Sequence, residues 1–291
     1  MRPVMATVTA LLLNIPAWAD VPPSPADPYA PVKPKMVLVP AGTFTMGCKD
    51  GRDNVEGLDR CGNAPEETPA HEVTLDAFQL GKYEVTFGEW DLCTKDGVCP
   101  QVKDGGQGRG NRPVANVSWD DAQTYIGWLN KRIPGAQYRL PREAEWEYAS
   151  RAGSNDTAYS WGYVVGKGNA NCRQDQCSDA FGRTAPIGSF MADGYGLYDM
   201  HGNVWEWCQD RFGYYSPSPS RNPNGAESGN YRVLRGGSWQ YNAQYLRSAY
   251  RLTLPPDFRD ISSGFRLAHP WVSAIKPASN SAVTTASAKM N

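Results

Sequence analysis

Cysteine is the residue of this sequence with the widest chemistry, because a thiolate can bind a metal, attack a substrate or close a disulfide. Six of the seven cysteines form local couples that flank short polar loops: Cys48 with Cys61, Cys93 with Cys99, and Cys172 with Cys177. Three local disulfides are the predicted pairing, although spacing alone leaves other connectivities open. Cys208, next to Trp207, is left over.

Zinc is the alternative use of these thiols. It needs cysteines at CxxC-like spacing or cysteines partnered by histidines. The chain has three histidines, His71, His201 and His269, and none stands in such a pattern. We therefore expect disulfides, which form in oxidising compartments.

The start of the chain agrees with export. Arg2, an apolar run to Ile15, and Ala17-Trp18-Ala19 before Asp20 have the layout of a secretory signal. The expected organisation is a signal peptide at 1–19, a proline-rich linker at 20–35, one domain at 36–270 and a disordered tail at 271–291. No later segment is apolar enough to cross a membrane. We expect a periplasmic or secreted protein without a transmembrane segment after cleavage.

Charge argues against one class of partner. The chain has 29 lysine and arginine residues and 30 aspartate and glutamate residues, for a formal net charge of -1. Without a surplus of basic residues it has no built-in attraction to a phosphate backbone, so we expect no nucleic-acid partner.

The elements that must position these residues are short. Glycine, proline, tryptophan and tyrosine are abundant and periodic segments are few, which favours a loop-rich α+β fold. The clearest helix begins after Ser118, a capping residue that precedes an apolar face made of Ala122, Tyr125, Ile126 and Leu129.

Further elements are predicted by turn and cap signals. A short helix follows the capping box of Thr86 and Glu89, and another is expected to have Pro141 at its first position. Met36–Pro40 and Glu72–Leu75 have the composition of short strands bounded by turn residues.

Several sequence blocks then follow one another between residues 36 and 268. They are Val39-Pro40-Ala41-Gly42, Met46-Gly47, Tyr83-Glu84-Val85-Thr86, Pro113-Val114, Tyr138-Arg139-Leu140-Pro141, Glu143–Ala149, Gly196–Trp207, Arg235-Gly236-Gly237-Ser238-Trp239 and Gly264-Phe265-Arg266. In number, order and spacing they resemble the sulfatase-modifying-factor family, the family of formylglycine-generating enzyme. The resemblance implies a C-type-lectin-like α+β domain with little regular secondary structure.

Two Ca²⁺ sites are implied by this resemblance. The first falls on Asn171, Cys172, Asp179 and Phe181, and the second on Asp199, Gly202, Val204 and Glu206. The family has asparagine where Asp199 stands, so this chain carries additional charge there. Carboxylates, amides and backbone carbonyls are the ligands that calcium prefers. The alternative is that these acids cap turns or pair with arginine.

The resemblance fails at the catalytic centre. The family binds copper(I) through two cysteines that lie five positions apart, just after the Gly-Gly-Ser-aromatic block. Here those positions hold Tyr241 and Leu246, so copper is not expected. Some relatives bind iron through three histidines that an additional helical domain supplies. In this chain the only candidate ligands for such a site are the three histidines named above.

An aromatic and basic set of residues occupies this region instead: Tyr241, Tyr245, Arg247, Tyr250 and Arg251. We interpret it as a binding cleft, because tyrosine and arginine dominate interface hot spots. Packing inside a loop-rich core is the alternative.

Three functions follow from this reading. The first is a non-catalytic periplasmic binding or regulatory protein with a protein or peptide partner, similar to a family member that acts upstream of a kinase controlling type VI secretion. The second is an unconventional oxidoreductase that tailors a peptide or siderophore, similar to a relative in pyoverdine maturation. The third, formylglycine generation on a sulfatase cysteine, requires the missing thiols. Whether the chain is an enzyme therefore stays open at this point.

Overall fold

Residues 33–55, 61–154, 156–177 and 181–271 are described by the structure, which is a computed structural model. The strands in these ranges are β1 (Met36–Val39), β2 (Gly42–Met46), β3 (His71–Leu75), β4 (Phe78–Gly81), β5 (Trp205–Arg211), β6 (Ser220–Arg221), β7 (Arg232–Arg235), β8 (Leu252–Leu254), β9 (Ser263–Gly264) and β10 (Ala268–Pro270). The helices are α1 (Phe87–Lys95), α2 (Trp119–Arg132), α3 (Glu143–Ser150) and the single turn α4 (Gln174–Cys177). The predicted signal peptide, most of the predicted linker and all of the predicted tail after Trp271 lie outside the described residues.

Side-chain caps fix where the helices begin. Thr86 and Glu89 form a reciprocal capping box at α1, and Ser118 and Asp121 form another at α2. The third helix begins later than the sequence predicts. The carbonyl of Pro141 accepts a hydrogen bond from the amide of Gln209 in β5, and the extended residue Arg142 is the N-cap, so α3 starts at Glu143.

Three small sheets organise the strands. Their strand orders are β1-β4-β10, β2-β3-β6 and β8-β7-β5-β9. The strand predicted at Met36–Pro40 is β1, and the one predicted at Glu72–Leu75 is β3. Strand β5 lies inside the third sheet, antiparallel to β7 and parallel to β9. The loop that enters β5 is therefore anchored from both sides.

The core is aromatic and is divided between two main clusters. One cluster surrounds α1 and α2, where Trp90 stacks on Tyr125 with ring centroids 5.7 Å apart. The other packs β2, β3 and β4 against Trp146 of α3. The result is the predicted loop-rich α+β fold, and none of the helices in the described ranges is long and apolar enough to cross a membrane.

The six coupled cysteines form disulfides in the structure: Cys48–Cys61, Cys93–Cys99 and Cys172–Cys177. Each bond closes a local loop, with sequence separations of 13, 6 and 5 residues. Cys208 is a buried free thiol. Burial raises its pKa well above the usual range, and the nearby carboxylate of Glu143 adds to the shift.

Distant segments are joined instead by buried ion pairs. Among them are Arg247 with Glu67, Arg251 with Glu143, Arg235 with Glu147, and Arg266 with Glu206. The partners are separated by 180, 108, 88 and 60 residues in the sequence, respectively. Because each side chain in these pairs is almost fully buried, removing one partner would leave an uncompensated charge inside the protein.

Candidate functional site

The loop from Asp199 to Val204 brings acidic and carbonyl oxygens to the start of β5. Gly202 has a positive φ of 93°. A side chain at this position would collide with the carbonyl oxygen of Asn171, which accepts a hydrogen bond from the amide of Asn203. The glycine thus allows the Asp199 and Asn171 segments, the two predicted calcium loops, to lie side by side.

Asp199 provides an incompletely satisfied carboxylate in this loop. The residue is 8% exposed, and its Oδ2 accepts a hydrogen bond of 2.7 Å from the amide of Gly188. Its Oδ1 is buried without a hydrogen-bond partner. Burial raises the pKa of Asp199 to about 6, and the carboxylate of Glu206 adds to the shift. These observations fit a cation site, since a bound cation would satisfy both the free oxygen and the surplus charge.

Glu206, the other carboxylate of the second predicted calcium site, is paired with an arginine. Its oxygens accept two hydrogen bonds of 2.6 Å from Arg266, and Oε2 also accepts one from the indole of Trp146. Glu84 lies nearby, and burial together with repulsion from Asp199 raises its pKa well above the usual range. Three buried carboxylates thus share one guanidinium group, which leaves the pocket short of positive charge.

The first predicted calcium loop is only partly described. The Nδ2 of Asn171 donates to the carbonyl of Arg183 at 2.8 Å, while its Oδ1 is buried without a partner. Cys172 is tied to Cys177 by a disulfide, and Asp179 lies outside the described residues. Phe181 follows directly after that gap. The side-chain oxygen of Asn171 fits a cation ligand.

Neither residue at the family's copper positions can act as a thiolate. Leu246 is fully buried, and Tyr241 is half-buried at the surface. Within the described ranges, the sole group of three or more potential metal-binding side chains within 4.8 Å is Cys48, Asp53 and Cys61. Its two cysteines are joined in a disulfide, so this group does not offer thiolates to a metal.

The histidines are not assembled into an iron site either. Burial lowers the pKa of His201 to about 4, so the ring is neutral. Its nitrogens contact the carbonyls of Leu246 and Ser150 at 2.7 and 3.2 Å. His201 therefore links the Asp199 loop to α3 and to the segment that carries the tyrosines.

The tyrosines of the predicted cleft lie together. Tyr241 contacts Tyr245 edge to face with centroids 5.5 Å apart, and Tyr245 contacts Tyr250 in the same way at 4.9 Å. The ring of Trp205 lies behind them, 5.3 Å from Tyr241. All three tyrosines are half-buried, and together they form a surface that we call the tyrosine platform.

The two predicted cleft arginines are placed differently. Arg247 is 1% exposed and donates two hydrogen bonds of 2.8 Å to Glu67. Arg251 is 6% exposed and holds Glu143 with bonds of 2.6 and 2.7 Å. A cleft of about 350 Å³ is lined by both arginines and by Tyr250, but not by Tyr241 or Tyr245. Both guanidinium groups line the cleft, but they are paired with glutamates and are not free to bind a ligand.

Sequence reasoning did not identify a set of unsatisfied donors beside the platform. The indole nitrogens of Trp205 and Trp239 and the hydroxyl of Ser238 are buried without hydrogen-bond partners. Gly236 and Gly237, both with positive φ, allow this turn to form. The Gly-Gly-Ser-Trp block marks the segment in the sequence, but the lack of partners is visible only in three dimensions.

This combination of an α+β loop-rich fold, an anchored acidic loop and a Gly-Gly-Ser-Trp turn defines a formylglycine-generating-enzyme-like domain. Residues 24–270 match the family model described as a sulfatase-modifying factor enzyme 1-like domain. The chain belongs to this family, and the resemblance places Tyr241 and Leu246 at the positions of the family's cysteine pair.

Similar proteins have several architectures. The formylglycine-generating enzyme of Mus musculus is 31% identical, over 80% of this chain and 74% of its own length. The serine/threonine-protein kinase pkn1 of Chlamydia caviae is 33% identical, over 82% of this chain and 38% of its own length. Among solved structures, PvdO from Pseudomonas aeruginosa superposes on this chain with a TM-score of 0.70 and 33% sequence identity. The match covers 82% of this chain and 95% of PvdO.

Proposed function

We propose that this protein is an exported, calcium-stabilised binding protein without formylglycine-generating activity, which uses the tyrosine platform to hold a protein or peptide partner. The observation that carries the proposal is the replacement of the family's two thiol positions by Tyr241 and Leu246. One of these residues joins an accessible aromatic cluster, and the other is buried. The three local disulfides support an oxidising compartment such as the periplasm.

The tyrosine platform suits an extended peptide segment. Its rings are held edge to face over Trp205, so little side-chain entropy is lost on binding. The adjoining cleft is bordered by Glu66, which is exposed, and by Gln244. A partner segment with an aromatic or apolar side chain for the platform and a hydrogen-bond donor for the cleft would match both surfaces.

A regulatory role is the form of this proposal that we favour. The Chlamydia caviae relative is named as a protein kinase, and it carries the matching region as part of a longer chain. A domain of this family therefore occurs together with signalling machinery. We propose that the present protein passes a periplasmic signal to a partner, for example in the control of a secretion system.

Replacing Tyr245 by alanine should weaken partner binding by at least tenfold, because Tyr245 is the central ring of the platform. The measurement is quantitative mass spectrometry of periplasmic proteins captured by the wild type and by Tyr245→Ala. Tyr231→Ala removes another half-exposed tyrosine away from the platform and should leave capture unchanged. If Tyr245→Ala captures the same partners to the same extent, the platform is not the binding surface.

An oxidoreductase that tailors a peptide or siderophore is the second candidate. The buried donors of Trp205, Ser238 and Trp239 favour it, since they offer a small polar co-substrate a place beside electron-rich rings. Metal analysis of protein purified from periplasm separates the candidates. Calcium alone supports the binding protein. Stoichiometric copper or iron with oxygen consumption supports the oxidoreductase, and aldehyde formation on a sulfatase cysteine peptide would overturn both.

A further inference from the structure

A second cavity shares Arg251 with the cleft that is lined by Arg247 and Tyr250. It has a volume of about 250 Å³ and is enclosed by the end of β5, the start of α3 and the loop that follows β5. Its polar lining includes His71, Glu143, Asp210, Ser220 and Arg251. None of the proposed calcium ligands or platform tyrosines lines it.

Asp210 is a buried carboxylate with one free oxygen in this cavity. The residue is 3% exposed, and its Oδ2 accepts a hydrogen bond of 2.9 Å from the amide of Glu143 at the first turn of α3. Its Oδ1 has no hydrogen-bond or ion-pair partner among the residues that the structure describes. Burial, together with repulsion from Glu143, raises the pKa of Asp210 to about 7.

Two arginines near Asp210 are engaged with other acceptors. Arg251 donates from Nε and Nη2 to Glu143 and from Nη1 to the carbonyls of Glu66 and Gly213. Arg235 pairs with Glu147 and with the carbonyl of Tyr250. Neither of these two guanidinium groups forms an ion pair with Asp210.

Two further polar side chains of the lining are His71 and Ser220. The Nδ1 of His71 lies 3.1 Å from the carbonyl oxygen of Pro69. Since a carbonyl can only accept, Nδ1 is the donor in this contact. The hydroxyl of Ser220 is buried without a partner. Asp210 Oδ1 and the Ser220 hydroxyl can each accept a hydrogen bond. The cavity therefore suits a ligand with a positively charged group that carries several donors.

The volume of the cavity and the exposed residues that line it indicate which class of ligand fits. A volume of about 250 Å³ is below the range of about 300–1,000 Å³ typical of drug-sized ligands, so the ligand is small. Arg211, which is exposed, and Tyr214, which is 72% exposed, line the same cavity. A cation bound to Asp210 can therefore carry a carboxylate that meets Arg211.

We propose that this cavity binds a free α-amino acid, with its ammonium group on Asp210 Oδ1 and its carboxylate toward Arg211. The N–H donors of an ammonium group match Asp210 Oδ1 and the hydroxyl oxygen of Ser220. This site goes beyond the proposed function and uses different residues.

The first test compares matched ligands on the unaltered protein. A panel of L-amino acids is titrated by calorimetry, together with the 2-hydroxy acid analogue of each binder, for example L-leucine against L-leucate. At least one amino acid should bind, and its hydroxy analogue should bind at least tenfold more weakly because it lacks the ammonium group. Equal binding of the pair, or no binding by any amino acid at millimolar concentration, would overturn the proposal.

The second test removes the charge of Asp210 while keeping its cap on α3. In Asp210→Asn the amide oxygen can still accept from the backbone of Glu143, so thermal unfolding should change little. Affinity for the amino acid should fall at least tenfold. Asp76→Asn, at an exposed carboxylate outside the cavity, should bind like the wild type. Unchanged affinity in folded Asp210→Asn would also overturn the proposal.

Discussion

Replacing Glu147 by glutamine should lower the free energy of unfolding by about 3–5 kcal/mol, because it breaks a fully buried ion-pair network from one side. Oε1 of Glu147 accepts from Arg151 at 2.8 Å and from the amide of Gly47 at 2.9 Å, and Oε2 pairs with Arg235. The neutral amide would leave both guanidinium groups buried with less compensation. Urea denaturation followed by circular dichroism measures the change.

The matched control is Glu72→Gln, which neutralises an exposed glutamate on β3. It should change the free energy of unfolding by less than about 0.5 kcal/mol. A loss of under about 1 kcal/mol in Glu147→Gln would mean that the network is solvated or rearranges, contrary to the structure.

The same residue predicts how stability depends on pH. Burial alone would raise the pKa of Glu147, but Arg151 and Arg235 outweigh it and hold the pKa at about 2, below the usual 4.5. A carboxylate with a depressed pKa contributes stability above its unfolded-state pKa and loses it as pH falls toward the folded value. The wild type should therefore lose this contribution between about pH 4.5 and pH 2, and Glu147→Gln should lack that component of the acid transition.

Calcium should stabilise the wild type strongly and Asp199→Ala weakly. At about one hundred times its dissociation constant, a ligand that binds only the folded state adds about 2.7 kcal/mol to the free energy of unfolding. Because Asp199 supplies the buried oxygen that has no partner, its loss should reduce the calcium increment to under about 1 kcal/mol. Thermal unfolding of the wild type and of Asp199→Ala, each in calcium and in chelator, measures the stabilisation that calcium gives to each protein.

Glu206 provides the contrast. Its carboxylate holds Arg266 through two short hydrogen bonds, so Glu206→Gln should lower stability in calcium and in chelator alike. Equal destabilisation of Asp199→Ala in both conditions would remove the calcium proposal, since the residue would then act through packing or turn geometry alone.

Local signals in the sequence were sufficient for the local features of the fold. Ser118 and Thr86 begin helices because a hydroxyl and an acid three residues later satisfy the first backbone amides. The cysteine couples pair locally because a short loop brings their sulfurs together. Pro141 shows the limit of such signals, because a strand distant in sequence engages its carbonyl and delays the helix.

The candidate site could be predicted only where its chemistry is local. The tyrosines of the platform lie within ten positions of one another, and the structure brings them together. Arg247 and Arg251 belong to the same segment, yet their carboxylate partners are far away in sequence and turn both side chains inward. An unaligned sequence gives no signal for such pairs, because any acid in the chain could be the partner.

The buried ion pairs also set an order of events during synthesis. Arg235, Arg247, Arg251 and Arg266 are all near the C-terminal end of the described chain, and each neutralises a carboxylate made earlier. Strand β10, which completes the sheet of β1 and β4, is made later still. A nascent chain that stops short of these residues holds its acids without their guanidinium partners and cannot close its interior.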